Sequence, residues 1–187
     1  MRVFDPTSYG ATALTFRRFG PLLRFDHQRG AGVDAHGLLT PALDPDRGIY
    51  YAGATLGCCI VEVFGDQGDI ETGQWCVAGP ITTRELRLLD LRGSGAMRAG
   101  SITALAKVPD HALAQEWSRY FYETAIYEEV DGLLYSNAHN DEKSYALYER
   151  AGAALHCPPA RVVRLDDPAL RPKLLSIARK NNLVLSP

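Results

Sequence analysis

Residues 48–64 read GIYYAGATLGCCIVEVF, and this stretch predicts a strand that runs directly into a helix. Residues 49–52 have the β-branched and aromatic character of a short strand. Thr55 is a suitable N-cap, and Gly65 a suitable stop, for the helix that follows. On a 3.6-residue period the apolar side chains of this helix share one face, which consists of Leu56, Cys59, Ile60 and Val63. Glu62 lies at the flank of that face, so its carboxylate must meet water, a partner or a ligand.

Shorter strands and further helices are predicted along the rest of the chain. Strands are predicted over residues 74–78, 85–91, 133–136, 153–157 and 162–165, and helices over 101–107, 110–129, 142–151 and 168–180. Residues 28–48 are rich in glycine, proline and aspartate and predict a long loop of the kind that often carries function. Short strands mixed with helices predict the α+β class, with a mixed or antiparallel sheet flanked by helices. No internal repeat or low-complexity segment divides residues 1–187, so we expect a single compact domain.

The charge balance and the hydropathy pattern narrow the function classes. The chain has 20 Lys and Arg residues against 22 Asp and Glu residues, which leaves a formal charge of −2. This balance argues against direct nucleic-acid binding, because contacts with phosphates usually leave a basic surplus. The N-terminal residues lack the apolar run of a signal peptide, and no stretch approaches the roughly 20 apolar residues of a membrane span. We therefore expect a cytoplasmic protein that does not associate with membranes.

The four cysteines do not form a metal-binding pattern. Cys58 and Cys59 are adjacent within an apolar segment, and neither Cys76 nor Cys157 belongs to a Cys-x-x-Cys pair. A zinc site built from Cys76, His156 and Cys157 is not supported by the spacing of these residues. We expect reduced, mostly buried thiols and no bound metal.

Four pieces of the sequence, taken in order, carry a resemblance to a known family. They are Arg18-Phe19-Gly20, then Arg24-Phe25-Asp26-His27, then Gly48-Ile49-Tyr50-Tyr51-Ala52 followed by Glu62-Val63-Phe64, and last Asp131-Gly132-Leu133-Leu134-Tyr135-Ser136. This order of arginines, a strand tyrosine, a glutamate eleven residues later on the next helix, and a serine after a late strand resembles the RES domain. The similarity spans residues 14–165, which leaves 166–187 as a C-terminal helix and tail.

The resemblance implies both a fold and an activity. RES domains resemble ADP-ribosyltransferases in fold, and the family consumes NAD⁺ by phosphorolysis or hydrolysis. Its members are toxins that a partner antitoxin of the Xre type neutralises. The resemblance therefore implies that NAD⁺ is a substrate, that phosphate is a candidate co-substrate, and that an Xre-type antitoxin is the protein partner. No Gly-x-Gly-x-x-Gly fingerprint and no Walker loop is present, so we expect no resident cofactor.

Within this resemblance Glu62 is the candidate catalytic carboxylate. Cleavage of the nicotinamide–ribose bond passes through an oxocarbenium-like sugar, and the leaving group already carries a positive charge, so no acid is needed to expel it. A carboxylate stabilises the developing charge and holds the ribose hydroxyls. The simpler interpretation of Glu62 is a surface glutamate near a helix end.

Arginines are the candidate ligands of the pyrophosphate, because a planar guanidinium forms paired hydrogen bonds with phosphate oxygens. Arg24 is assigned to the catalytic set and Arg18 to substrate binding. Arg47 lies closer in sequence to the strand tyrosine, so it stands as the alternative to Arg24. The competing interpretation is that these arginines are solvated or paired with carboxylates.

Three further residues complete the candidate site. Tyr51 could stack on the nicotinamide ring or bond the ribose, whereas Tyr50 must point to the opposite face of the strand. Ser136 ends a predicted strand and is assigned to the catalytic set, although a turn or cap role is the alternative. His27 is a candidate substrate contact that could equally be structural.

Other functions fit the sequence less well. Transfer of ADP-ribose onto a protein would use the same residues, and a non-catalytic module that docks a partner is the alternative from a different class. A toxin that cuts RNA is disfavoured by the acidic balance and by the lack of clustered His or Lys residues. A hydrolase built from Ser136, His139 and Asp141 is excluded, because residues so close in sequence rarely converge and no Gly-x-Ser-x-Gly elbow is present.

Overall fold

The computed structural model describes residues 1–186 and arranges them in small sheets with helices packed against them. The strands in this range, numbered in chain order, are β1 (Arg2–Phe4), β2 (Phe19–Gly20), β3 (Ala42–Leu43), β4 (Ile49–Gly53), β5 (Asp69–Ile70), β6 (Cys76–Ala78), β7 (Ile81–Thr82), β8 (Leu88–Asp90), β9 (Gly132–Ser136), β10 (Lys143–Tyr148), β11 (Leu155–His156), β12 (Val162–Arg164) and β13 (Val184–Leu185). The α-helices in the same range are α1 (Leu56–Phe64), α2 (Ser94–Arg98), α3 (His111–Glu123) and α4 (Arg171–Lys180). Short 3₁₀ helices cover Thr103–Ala106, Ala125–Tyr127, Glu149–Ala154 and Pro159–Arg161.

The longest strands form a four-stranded mixed sheet in the order β4-β10-β9-β8. Strand β10 is antiparallel to both of its neighbours, and β8 is parallel to β9. The register places Ser144 of β10 opposite Gly53 on one side and Tyr135 on the other. Because alternate side chains of a strand share a face, Tyr51 and Tyr135 lie on one face of this sheet and Ser136 lies on the other.

Each face of the four-stranded sheet is covered by apolar residues. On the Tyr51 face, the core includes Phe25, Phe121 of α3 and Leu133. On the other face, Tyr50 and Leu147 pack with Ala151 and the partly buried Phe16. Since both faces are buried, β10 and β9 lack the regular apolar–polar alternation of a strand with one face in water.

A second layer holds the helix that bears Glu62. Strands β1, β6 and β12 form an antiparallel three-stranded sheet. Val3 and Val77 of this sheet form one cluster with α1 and α4, which includes Ile60, Phe64, Leu174 and Ile177. Helix α1 thus packs on this sheet and also contacts β4, which places α1 between the two sheets.

The α+β class and the mixed sheet flanked by helices are confirmed. The predicted strand at residues 49–52 and the helix that follows it are present as β4 and α1, with Thr55 as the N-cap. The helix predicted over 110–129 is shorter, because Thr124 takes an extended conformation and ends α3 at Glu123. No helix in residues 1–186 has both the length and the apolar character needed to cross a membrane.

The helix predicted over residues 142–151 is wrong, since residues 143–148 form β10. The segment contains the good helix formers Ala146, Leu147 and Glu149. Pairing along both edges of the strand and burial on both faces outweigh this weak local preference.

We predict that Gly132→Ala destabilises the fold. A Cβ at Gly132 would lie 2.5 Å from the carbonyl oxygen of Ala146 and 2.7 Å from the Cα of Leu147, so β9 and β10 would have to separate. The expected loss of unfolding free energy is about 2 kcal/mol or more, as for an overpacked core, measured by urea denaturation. Gly73→Ala is the matched control, because its Cβ would meet nothing within 4 Å. Equal stability of the two variants would contradict the tight β9–β10 contact.

Candidate active site

Helix α1 presents Glu62 from a well-anchored first turn. The Thr55 hydroxyl accepts a hydrogen bond from the Cys58 backbone N–H at 3.0 Å, which satisfies one of the free donors at the helix start. The apolar residues of the helix are buried, whereas Glu62 is exposed. The packing of α1 therefore fixes the position of Glu62 and leaves its carboxylate at the surface of a cleft.

The carboxylate of Glu62 is nevertheless surrounded by protein groups. The side-chain amide of Asn137 donates a hydrogen bond to its Oε2. Burial among protein atoms raises the pKa of Glu62, the positive charges of His139 and Arg24 oppose this effect, and Asp66 adds to it. The charge of Arg24, from the N-terminal segment, thus acts on Glu62.

A narrow cavity of about 60 Å³ lies beside Glu62, between α1 and strands β1, β4, β9 and β10. The residues with polar or thiol side chains that line it are Arg2, Tyr51, Cys58, Cys59, Glu62, Tyr135 and Ser144. The Ser144 hydroxyl lies 3.1 Å from the Cys58 sulfur. The glutamate and both tyrosines therefore border one space.

Tyr51 borders this cavity, but its hydroxyl is already occupied. It donates to Asp26 Oδ1 at 2.9 Å and accepts from the Phe25 N–H at 2.9 Å. Asp26 is fully buried, and the Arg17 guanidinium donates to both of its oxygens at 2.7 Å. In this conformation only the ring of Tyr51 is available to a ligand, which favours packing or stacking over a hydrogen bond to ribose.

Tyr135 is a site residue that the sequence analysis missed. It is almost fully buried, and burial raises its pKa well above the ordinary value. The nearby negative charge of Glu62 raises it further, while Arg24 lowers it. Residue type alone did not separate Tyr135 from its neighbour Ser136, because the face that Tyr135 shares with Tyr51 follows from the register of β10.

Arg24 approaches the site from the N-terminal segment. Its guanidinium donates a hydrogen bond to the Val108 carbonyl oxygen, and its charge acts on both Glu62 and Tyr135. Arg24 is only partly buried, and it does not line the cavity beside Glu62.

The other two candidate arginines lie elsewhere. Arg18 is exposed and donates to the Pro45 carbonyl oxygen. Arg47 donates to the His27 carbonyl oxygen at 3.0 Å and to Glu123 Oε1 at 2.7 Å. Of the three arginines, Arg24 is the one whose charge acts on Glu62.

His27 belongs to a buried polar cluster around Glu149. Its Nε2 lies 3.1 Å from Glu149 Oε2, and its ring packs against Tyr122 and Tyr148. The guanidinium of Arg47 lies 4.9 Å from the centre of the Tyr122 ring. Burial lowers the pKa of His27, while Glu149 opposes that effect. The contacts of His27 and Arg47 are therefore those of a scaffold.

Ser136 points away from Glu62. It lies on the opposite sheet face from Tyr135 and lines a separate surface cavity of about 310 Å³ together with Arg92, Thr103 and Lys107. The serine that borders the cavity of Glu62 is Ser144. Sequence reasoning could not have found it, because residues 142–151 predicted a helix.

The chemistry of the site rests on a carboxylate, a guanidinium and phenols. No group of three or more His, Cys, Asp or Glu side chains in residues 1–186 is arranged to hold a metal ion. The arrangement of Glu62, Arg24, Tyr51 and Tyr135 can stabilise positive charge on a bound group and hold an anionic neighbour of that group.

A family model described as the RES domain matches residues 1–168. No curated protein and no solved structure shows a significant match to the chain. The likeness to the ADP-ribosyltransferase fold therefore stays a prediction.

We predict that Glu149→Gln lowers stability in a pH-dependent way. Burial alone would raise the pKa of Glu149, but hydrogen bonds from His27, Tyr122 and the Gly48 N–H outweigh it and lower the pKa to about 2. The folded-state pKa is depressed below the value of 4.5, so the ionised carboxylate stabilises the fold above that pH. This contribution is lost as the pH falls towards 2.

The measurement is urea denaturation of wild type and Glu149→Gln from about pH 7 to about pH 2.5. The stability difference between them should be largest near neutral pH and shrink on acidification. Glu128→Gln changes an exposed glutamate and serves as the control. A difference that is constant with pH would contradict the assigned role of Glu149.

Proposed function

The chain belongs to the RES domain family, and from this premise we propose that it is an enzyme that consumes NAD⁺. It cleaves the bond between nicotinamide and ribose, with phosphate or water as the acceptor. The observation that carries the proposal is that Glu62, Tyr51 and Tyr135 line one cavity, while the charge of Arg24 acts on both Glu62 and Tyr135. This arrangement unites residues from three distant parts of the sequence, which a purely surface glutamate would not need.

Glu62 is the proposed catalytic carboxylate. When the C1″–N bond breaks, its electron pair moves to the nicotinamide nitrogen and positive charge develops on the ribose. An ionised carboxylate next to the ribose stabilises that charge. When water is the acceptor, its oxygen bonds to C1″ and one proton leaves to solvent, which gives ADP-ribose. When phosphate is the acceptor, an ionised oxygen of the dianion bonds to C1″ without loss of a proton, which gives ADP-ribose 1″-phosphate.

Arg24 is the proposed pyrophosphate ligand. A guanidinium binds phosphate oxygens with paired hydrogen bonds, and Arg24 lies close enough to Glu62 to act on its charge. The cavity of about 60 Å³ is too small for a dinucleotide. We therefore place the substrate in the open cleft above Glu62, with the rings of Tyr51 and Tyr135 at its floor.

Arg18, Arg47, His27 and Ser136 have a reduced part in this proposal. Their protein contacts hold them away from Glu62. They remain candidates only for a conformation in which those contacts are exchanged for contacts with substrate.

Transfer of ADP-ribose onto a protein is the alternative enzymatic outcome, because the same bond breaks and only the acceptor differs. NMR of the products separates the two. Free nicotinamide with ADP-ribose or its 1″-phosphate supports the first outcome, and labelled protein supports the second. If neither nicotinamide nor labelled protein appears, the chain does not use NAD⁺ and the non-catalytic module gains support.

We further propose that the protein is the toxin of a toxin–antitoxin pair, silenced in the cytoplasm by an Xre-type antitoxin. The support is the family membership together with a cleft that a partner could block. A small helix-turn-helix protein encoded next to this chain would be the partner to test for binding and for inhibition.

We predict that Glu62→Gln lowers kcat for NAD⁺ consumption by about 100-fold or more, as removal of a preorganised electrostatic group does. The substitution keeps the shape and the contact with Asn137 available while it removes the charge. Glu71→Gln, at an exposed glutamate outside the cleft, should match wild type. The measurement is release of nicotinamide by the purified variants, and full activity of Glu62→Gln would refute the catalytic role.

We predict that Arg24→Ala raises KM for NAD⁺ by about tenfold or more through loss of charge-assisted hydrogen bonds to phosphate. Arg179→Ala, an exposed arginine of α4, is the matched control. Steady-state kinetics measure both. An unchanged KM and kcat in Arg24→Ala would remove Arg24 from the site.

We predict that expression of the wild-type chain without its partner arrests growth, and that Glu62→Gln abolishes the arrest. Cellular NAD⁺ should fall before growth stops, and RNA should stay intact. Arrest by a folded Glu62→Gln protein would show that toxicity does not depend on this carboxylate.

A further inference from the structure

Asn137 is a buried polar residue at the first position after β9, where the chain turns towards β10. Its side chain has no exposure to solvent. The turn is closed by two backbone hydrogen bonds, from the Asn137 N–H to the Glu142 carbonyl oxygen at 2.8 Å and from the Asp141 N–H to the Asn137 carbonyl oxygen at 3.2 Å. Asn137 is therefore held by its backbone as well as by its side chain.

The orientation of the Asn137 amide is fixed by its partners. Its Oδ1 accepts hydrogen bonds from the His139 N–H at 2.7 Å and the Asn140 N–H at 3.3 Å. Backbone N–H groups are donors only, so the atom that faces them must be the oxygen. The amide nitrogen must then be the atom that faces Glu62.

This nitrogen joins the turn to the proposed catalytic carboxylate. Asn137 Nδ2 donates to Glu62 Oε2 and lies 3.4 Å from the Cys58 carbonyl oxygen. A single amide thus connects two points one helical turn apart on α1. Within residues 1–186 the second oxygen of Glu62, Oε1, accepts no hydrogen bond, and it is left for a ligand in the cleft.

We propose that Asn137 positions Glu62 for catalysis by holding Oε2 and aiming Oε1 at the substrate ribose, an inference that rests on the proposed NAD⁺-consuming function. Asn137 acts through Glu62 and contacts no reacting atom, so it is a positioning residue. Its place directly after β9 puts it beside Glu62, whereas Ser136 one residue earlier faces away.

The charged and titratable groups around Glu62 come from several elements. Arg24 lies on the N-terminal segment, Tyr135 on β9 and His139 on the turn that Asn137 begins. Asp66 follows α1, and Cys58 and Cys59 lie within it. None of these groups takes the position of the Asn137 amide, so substitution of Asn137 alters only the contacts of that amide with α1 and with the turn.

Two substitutions separate the role of Asn137 towards Glu62 from its role in the turn. Asn137→Ser keeps an oxygen that can accept from the turn backbone but cannot reach Glu62. Asn137→Asp keeps the size and the accepting oxygen, and replaces the donor by a second carboxylate oxygen against Glu62. Asn140→Asp is the control, because it adds a carboxylate to the same turn where Asn140 contacts Glu142 and not Glu62.

Steady-state kinetics with NAD⁺ are the first test. Asn137→Ser should lower kcat by about tenfold or more, as misplacement of a catalytic group does, and leave KM within about threefold. In Asn137→Asp the acid limb of the kcat profile should move up by about one pH unit or more, because neighbouring carboxylates resist double ionisation. Asn140→Asp should show neither change. Wild-type kcat in both folded Asn137 variants would overturn the proposal.

A second test does not depend on activity. The carboxyl carbon of Glu62, followed by NMR during a pH titration, should report a higher pKa for Glu62 in Asn137→Asp than in wild type. An unchanged Glu62 titration in Asn137→Asp would overturn the contact. If wild type fails to consume NAD⁺ while this shift is present, the proposed function fails and the Asn137–Glu62 contact stands. If Asn137→Asp does not fold, the kcat of Asn137→Ser decides the matter.

Discussion

Strand β10 is hydrogen-bonded along both edges, to β4 and to β9, and the surroundings of Glu62 depend on this double pairing. Its register sets Gly53, Ser144 and Tyr135 in one row. At Gly53 a Cβ would lie 2.9 Å from the sulfurs of both Cys58 and Cys59, so only glycine lets α1 approach the sheet this closely. A slip of one residue would move every side chain of β10 to the other face and dismantle this row. The register is therefore a requirement of the site as well as of the fold.

The part of the fold that local signals specify was predictable, and the part set by distant pairing was not. The N-cap Thr55 and the 3.6-residue period of α1 lie within one short stretch, and the structure confirms both. Strand β10 has no such local signature, because both of its faces are buried and its composition suits a helix. The wrong prediction for β10 also affected the site, because the positions of Ser144 and of the turn at Asn137 follow from the pairing of β10.

The candidate residues show the same division. Glu62, Tyr51 and Arg24 were named from the sequence; Glu62 and Tyr51 line one cavity, and the charge of Arg24 acts on Glu62. The candidate arginines could not be ranked by residue type alone, because the sequence does not distinguish an arginine that binds a phosphate from one that pairs with a carboxylate. The structure distinguishes the candidate side chains by how many of their polar atoms already form hydrogen bonds within the protein. The Arg47 guanidinium already donates hydrogen bonds to Glu123 and to the His27 carbonyl oxygen. Among the described residues, Glu62 accepts a hydrogen bond through only one of its two carboxylate oxygens.

The hydrogen bond from Tyr51 to Asp26 ties the N-terminal segment to the sheet. Asp26 also accepts hydrogen bonds from the Arg17 guanidinium and from the backbone N–H of Leu23. The N-terminal segment is therefore anchored two residues after Arg24. These contacts fix the backbone beside Arg24 relative to β4, the strand that leads into the helix that bears Glu62. Under the proposed function, a substitution at Asp26 would loosen the segment that carries Arg24 and would raise KM, although Asp26 does not line the cavity beside Glu62. In directed evolution, the scaffold behind the cleft would then be as productive a target as the residues that line it.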